Sequence, residues 1–211
     1  MIINQNYINE HRNNANIIDE LLDNNPKDSI SHIWLKESLP KRIIYYELYS
    51  DFILNGNKKI LDIGGGYCGI TKTLALENDY TLLDICNSDI AINHIQKDWY
   101  DIKDTKESYD VIIANDIFPN VDQRLEMFLY YFLPKCKEMR LSLTYYDNYK
   151  FYKTKRIDGD EIFHQLEWNS EQTEKVMKKY KKDIKLPYDK SVFPNGRQIY
   201  ITTIRGNNYE S

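Results

Sequence analysis

Lys59-Ile60-Leu61-Asp62-Ile63 runs without a break into Gly64-Gly65-Gly66-Tyr67-Cys68-Gly69. The first five residues are mostly aliphatic and suit a buried strand. Three successive glycines then let the backbone pass close to a ligand where any Cβ would clash, and Ile70 to Leu76 reads as a helix. Strand, glycine turn and helix in this order make a nucleotide cradle. Gly64, Gly66 and Gly69 also satisfy G-x-G-x-x-G, and Asp84 lies 20 residues beyond Gly64, the spacing of a dinucleotide site. Asp62 points elsewhere. A carboxylate at the end of the strand repels a pyrophosphate but holds an ammonium by charge-assisted hydrogen bonds.

Downstream, the short apolar runs Ile60 to Ile63, Thr81 to Ile85, Val111 to Ala114 and Met139 to Leu143 alternate with helical stretches. That alternation predicts parallel strands joined by crossover helices. Leu125, Phe128, Leu129 and Phe132 form one apolar helical stripe closed by Pro134. Tyr145 to Trp168 reads as an inserted hairpin turning at Asp158-Gly159. Asn169 with Gln172 caps a helix whose body is Glu171 to Lys182. Arg197 to Ile204, after an Asn195-Gly196 turn, reads as a strand of a closing antiparallel hairpin.

Upstream, Ile17, Ile18, Leu21 and Leu22 share a helical face, and Pro40 fits the first turn of a helix carrying Ile44, Leu48 and Phe52. Asn55-Gly56-Asn57 stops it. The expected organisation is an N-terminal helical cap over residues 1–57 and a core over 58–211 with the inserted hairpin near 145–168. The fold class that follows is α/β: a Rossmann-like, doubly wound, mostly parallel sheet with a C-terminal antiparallel hairpin.

A chain of 211 residues, 42% hydrophobic, buries a full core and fits one α/β domain. Its net charge of −4 gives no general attraction for nucleic acid. Cys68, Cys86 and Cys136 are odd in number and lack a C-x-x-C spacing, so free thiols in a reducing compartment are expected and no metal site. Met1 to Asn14 is polar and carries Glu10, His11 and Arg12, unlike a signal peptide, and no later run is long and apolar enough for a bilayer. The expectation is a cytoplasmic protein without membrane contact.

The order acid, any residue, Gly, any residue, Gly in Asp62, Ile63, Gly64, Gly65 and Gly66 resembles the first motif of the class I S-adenosylmethionine-dependent methyltransferases. The usual third glycine is replaced by Cys68, with Gly69 next. The resemblance runs from about Lys58 to Ile204 by order of elements. It implies S-adenosylmethionine as cofactor, bound over Gly64, Gly65 and Gly66 with Asp62 at its amine. Asp84, at the end of the second strand, then accepts from both ribose hydroxyls. Asp98 and Trp99 match the adenine position, 12 residues ahead of Asp110 at the opening of the fourth strand. Only 14 residues separate Asp84 from Asp98, so the intervening helix shrinks to about two turns over Ser88 to His94. Asn115 and Asp116 fall beside the methionine part of the cofactor and the incoming acceptor.

Methyl transfer from a sulfonium is an in-line displacement, so alignment and exclusion of water carry much of the catalysis. A hydroxyl acceptor also benefits from a general base. The candidates are His32, His94, His164 and Asp116, of which His164, on the hairpin, and Asp116 are favoured as catalytic. Lys150, Lys153, Lys155 and Arg156 interleave with Tyr146, Tyr149, Phe151 and Tyr152. A solvated face explains this run first, a clamp for an anionic sugar or phosphorylated metabolite second, and a single-strand RNA groove third. Tyr7, Trp34, Tyr45 and Tyr46 read as core aromatics first and as a lid second. The resulting expectation is O-methylation of a small polar acceptor, with an anionic one open. RNA or protein methylation and a non-catalytic cofactor-binding scaffold are the alternatives. A dinucleotide oxidoreductase is disfavoured by Asp62 and by the 127 residues left after Asp84.

Overall fold

A computed structural model describes residues 1–23, 30–85, 92–155 and 162–206. In chain order the elements are α1 (Gln5–Glu10), α2 (Asn14–Asp23), α3 (Ile30–Glu37), α4 (Leu39–Leu54), β1 (Lys59–Ile63), α5 (Gly69–Glu77), β2 (Asp79–Leu83) and β3 (Asn93–Ile95). A 3₁₀ turn (Trp99–Ile102), β4 (Tyr109–Asn115), α6 (Leu125–Phe132), β5 (Cys136–Tyr145), β6 (Lys150–Lys155), β7 (Ile162–Glu167), α7 (Ser170–Met177) and β8 (Gln198–Arg205) follow. Six strands form one sheet in the order β3-β2-β1-β4-β5-β8, parallel except for β8 against β5. This is the Rossmann-like, mostly parallel sheet that the alternating pattern predicts.

The strands are apolar on both faces because both faces are covered. In β4 the side chains alternate, Val111 and Ile113 entering one core and Ile112 and Ala114 the other. The first core lies under α1 to α5 and includes Ile18, Leu22, Ile44, Leu48, Ile60 and Ile70. The second lies under α6 and α7 and includes Leu61, Phe128, Leu129, Phe132, Met139 and Leu143. The helical preface therefore completes a layer of the fold and shares its core with β1 and β4.

Helix α4 fixes the position of the site. It leads through Asn55 to Lys58 into the start of β1, so its own first turn lies at the opposite, carboxyl end of the parallel strands. Its lower half is clamped by Arg140 of β5, whose guanidinium donates to Leu48 O (2.9 Å) and grips both oxygens of Asp51 (2.7 Å each) while lying 4.1 Å over the Phe52 ring.

Three details differ from the expectations. The C-terminal strand is single: β8 pairs with β5 across the intervening ribbon and helix, and its other edge is bridged by Ile2 to Tyr200. The backbone of Met1 to Ile3 thus stands where the second hairpin strand was expected, with Ile3 N donating to Ile199 O (2.9 Å) and Ile201 N to Met1 O (2.8 Å). Helix α7 has the predicted cap, Asn169 and Gln172 bonding each other's backbone, but ends at Met177, the last residue of its buried stripe. His94 lies in β3 and not in a helix. The remainder of the Ser88 to His94 stretch up to residue 91, Cys86, Arg156, the Asp158-Gly159 turn and the Trp34 side chain lie outside the described residues. No helix among the described residues is long and apolar enough to cross a membrane.

Phe128 is fully buried and stacks on Phe118 (4.6 Å) and Phe132 (5.1 Å). Phe128→Ala is expected to lower unfolding free energy by about 3–5 kcal/mol in chemical denaturation, whereas Tyr130→Ala, on the exposed side of the same helix, should stay within about 0.5 kcal/mol.

Candidate functional site

The turn after β1 requires its glycines for separate reasons. Gly64 and Gly66 have φ of 63° and 64°, the left-handed region that a Cβ disfavours. A Cβ on Gly64 would also come within 2.4 Å of Ile117 Cδ1, and one on Gly65 within 2.3 Å of Asp62 Oδ2. Gly64 N donates to Leu83 O (2.7 Å) and Gly66 N donates to the Asp84 carboxylate (3.2 Å), which ties the turn to the end of β2. Cys68 N donates to Thr71 Oγ1 (2.9 Å), starting α5 in place of a third glycine.

Asp62 lies beneath this turn. It is fully buried, on the same face of β1 as Ile60, and receives hydrogen bonds from Tyr80 (2.7 Å) and Tyr49 (3.2 Å). Gly65 roofs it. In this position its oxygens face the two tyrosine hydroxyls and lie directly beneath the turn. Burial pushes its carboxyl up to about 7, the Asp84 charge adding to the rise and the two tyrosine hydroxyls opposing it. Because the folded value exceeds the ordinary 3.8, the stability tied to this group is complete below about pH 4 and is lost as pH rises through 7. Unfolding measured from pH 4 to 8 should show a decline on the order of a few kcal/mol that is absent in Asp62→Asn.

Around the turn, three more chain segments meet at the carboxyl end of the sheet, where open α/β folds place ligands. Asn115 ends β4, buried, its side chain accepting from Ser142 Oγ (2.7 Å). Asp116 follows with φ 58°, a left-handed conformation that aspartate tolerates better than most residues. Its backbone N donates to Ser142 Oγ (2.7 Å), and its carboxylate accepts from Thr144 (2.6 Å), Asn120 (3.0 Å) and Arg197 (2.6 Å). Three donors on two oxygens hold the carboxylate in one orientation. From α4, the Tyr45 hydroxyl donates to Gly65 O (3.4 Å).

Other predicted residues are held apart from this group. Asp98 caps the 3₁₀ turn through Tyr100 N (2.8 Å) and pairs with Arg124 (2.8 Å). Burial alone would raise its carboxyl, but the Arg124 guanidinium outweighs that and holds it below the usual range. Trp99 is a core residue, donating to Asp122 (2.7 Å) and meeting Phe118, Phe128 and Phe132 edge to face. His164 is exposed on β7, stacked on Phe151 (5.6 Å between rings). Its neighbour Gln165 is buried and donates to Asn120 O and Oδ1 (3.1 and 2.9 Å). Since successive strand residues face opposite ways, His164 is on the side of the ribbon turned from Asn120 and Asp116. His94 Nε2 lies 3.3 Å from the Asp84 backbone O, and His32 is buried in the preface.

The residues that sequence reasoning missed are Asn120, Thr144, Gln165, Arg197 and Lys41, which is half-buried and within electrostatic reach of Arg197 and Asp116. Each enters through tertiary contact. The Asn195-Gly196 turn, with Gly196 at φ 80°, was the local sign that Arg197 would be delivered to the head of β8.

No protein-family model and no curated protein sequence matches the chain. Solved structures do. DhpI in complex with SAH aligns over 95% of each chain with a TM-score of 0.54 at 16% identity. The 1,6-didemethyltoxoflavin-N1-methyltransferase of Burkholderia thailandensis, bound to 1,6-didemethyltoxoflavin and S-adenosylhomocysteine, covers 94% of this chain and 88% of its own with a TM-score of 0.51 at 10% identity. Coclaurine N-methyltransferase is matched over 58% of this chain and only 41% of its own, at a TM-score of 0.43 and 17% identity. The chain has the class I methyltransferase fold.

Proposed function

We propose that this chain is an S-adenosylmethionine-dependent methyltransferase that transfers the methyl group to oxygen on a small polar metabolite, such as a sugar, a glycan precursor or a phosphorylated compound. The observation that carries the reading is the glycine turn: two left-handed glycines at the carboxyl end of β1, with the Gly66 amide held on Asp84 at the end of β2. The residues present fit the cofactor. A Cβ at Gly64 or Gly65 would drive the turn into Ile117 or Asp62, so its backbone surface is kept bare, and Asp84 has two carboxylate oxygens, enough for a pair of ribose hydroxyls.

When bound, S-adenosylmethionine supplies a methyl group on a positively charged sulfur. Gly64, Gly65, Gly66, Asp84 and Asn115 are the residues that hold it in this reading, with Asp98 and Trp99 bordering the adenine end from their Arg124 and Asp122 contacts. Asp62 fixes the turn from below. On the acceptor side, Asp116 aligns Arg197 and Thr144, and this polar group favours a hydrogen-bonding substrate over an apolar one. Fixed donors around the acceptor align it for attack, which is the main requirement of an in-line displacement.

Calorimetry with S-adenosylmethionine, S-adenosylhomocysteine and NAD tests the assignment. The two sulfur compounds are expected to bind and NAD is not; binding of NAD alone overturns it. Asp84→Ala should weaken S-adenosylhomocysteine by roughly 1.5–3 kcal/mol per charged hydrogen bond lost, and an unchanged affinity removes Asp84 from the site.

A further inference from the structure

The acceptor end carries a second feature. Lys41 sits in the first turn of α4, one helical turn before Tyr45, whose hydroxyl touches the glycine loop at Gly65 O (3.4 Å). Arg197 directly precedes β8, whose first residue Gln198 pairs with Tyr145 at the carboxyl end of β5. Two cations from distant parts of the chain therefore converge at the same end of the sheet as the turn, Arg197 in direct contact with Asp116 and Lys41 within electrostatic reach of both.

The geometry points to an oxyanion site formed by Lys41 and Arg197, which seats a carboxylate or phosphate group of the methyl acceptor. This rests on the methyltransferase reading and adds the charge class of the substrate. Arg197 is set up for the task. Its side chain is only 11% exposed, its guanidinium carbon lies 4.6 Å from the Phe193 ring centre, and Nη1 is fixed on Asp116 Oδ2 (2.6 Å). Among the described residues that is the one hydrogen bond its guanidinium makes, so donors remain on a planar group already locked in orientation, and locking beforehand reduces the entropy lost on binding.

The charge balance agrees. Asp116 and Glu37 act favourably on Lys41, but burial and the nearby Arg197 charge outweigh them and lower its ammonium from the ordinary value. An oxyanion between Lys41 and Arg197 would remove their mutual repulsion and form charge-assisted bonds with both. On the basic ribbon, Lys153 stands opposite His164 on the exposed face, turned from Asn120.

The test uses ¹⁵N-labelled full-length protein saturated with S-adenosylhomocysteine at low ionic strength, titrated with inorganic phosphate, malonate and, as a neutral control, glycerol, while the arginine Nε–Hε signals are followed. Saturable shifts are expected with phosphate or malonate and none with glycerol; the tighter of the two anions assigns the acceptor group as phosphate or carboxylate. Lys41→Gln should weaken that binding at least fivefold and Lys41→Arg should restore it to within twofold. Lys41 is chosen because an Arg197 variant also removes the partner of Asp116. If S-adenosylhomocysteine binds but neither anion does, or if Lys41→Gln leaves anion binding unchanged, the oxyanion site is overturned and the methyltransferase reading stands. If the wild type fails to bind S-adenosylhomocysteine, both fall.

Discussion

The carboxylate of Asp62 joins three parts of the molecule at a point closed to water. Tyr49 reaches it from α4, Tyr80 from β2, and Gly65 closes over it from the ligand turn. Burying an acid is costly unless its oxygens are hydrogen-bonded, and here two hydroxyls meet that need. The same contacts set the height of the glycine turn, because Gly65 can sit on the carboxylate only without a side chain. The turn in turn fixes where Gly66 presents its amide to Asp84. Position at the ligand end is thus passed from a buried acid through bare backbone.

The acceptor side is organised by hydrogen bonds among short polar side chains. Ser142 bridges the side chain of Asn115 and the backbone of Asp116, and Asp116 gathers Thr144, Asn120 and Arg197. Gln165 extends the network into the ribbon through Asn120. Each member is held by at least one other, so the group is rigid before any ligand arrives. The two halves of the site are built differently, the nucleotide side from glycine backbone and the acceptor side from crossed side chains.

That difference decides what could be read in advance. Strands covered on both faces produce unbroken apolar runs, and Val111 to Ala114 is unmistakable for that reason. The glycine turn and Asp84 could be placed in advance because their spacing lies within one strand, turn, helix and strand unit. Arg197 was not, since its partner Asp116 is 81 residues away. For His164 the ribbon was expected, but only the register shows that its neighbour Gln165 is the residue facing Asn120. For Asp98 and Trp99 the local spacing fitted an adenine site, while Arg124 and Asp122, from beyond β4, engage both residues.

The short backbone segment against β8 has a consequence for self-association. A terminal strand with bare amides and carbonyls is a template on which another molecule can add its own strand. Here Met1 to Ile3 occupy those groups along the middle of β8, and the opposite border of the six-stranded sheet is the three-residue β3. A sheet bounded in this way offers neighbouring copies little length on which to propagate a cross-molecule ladder.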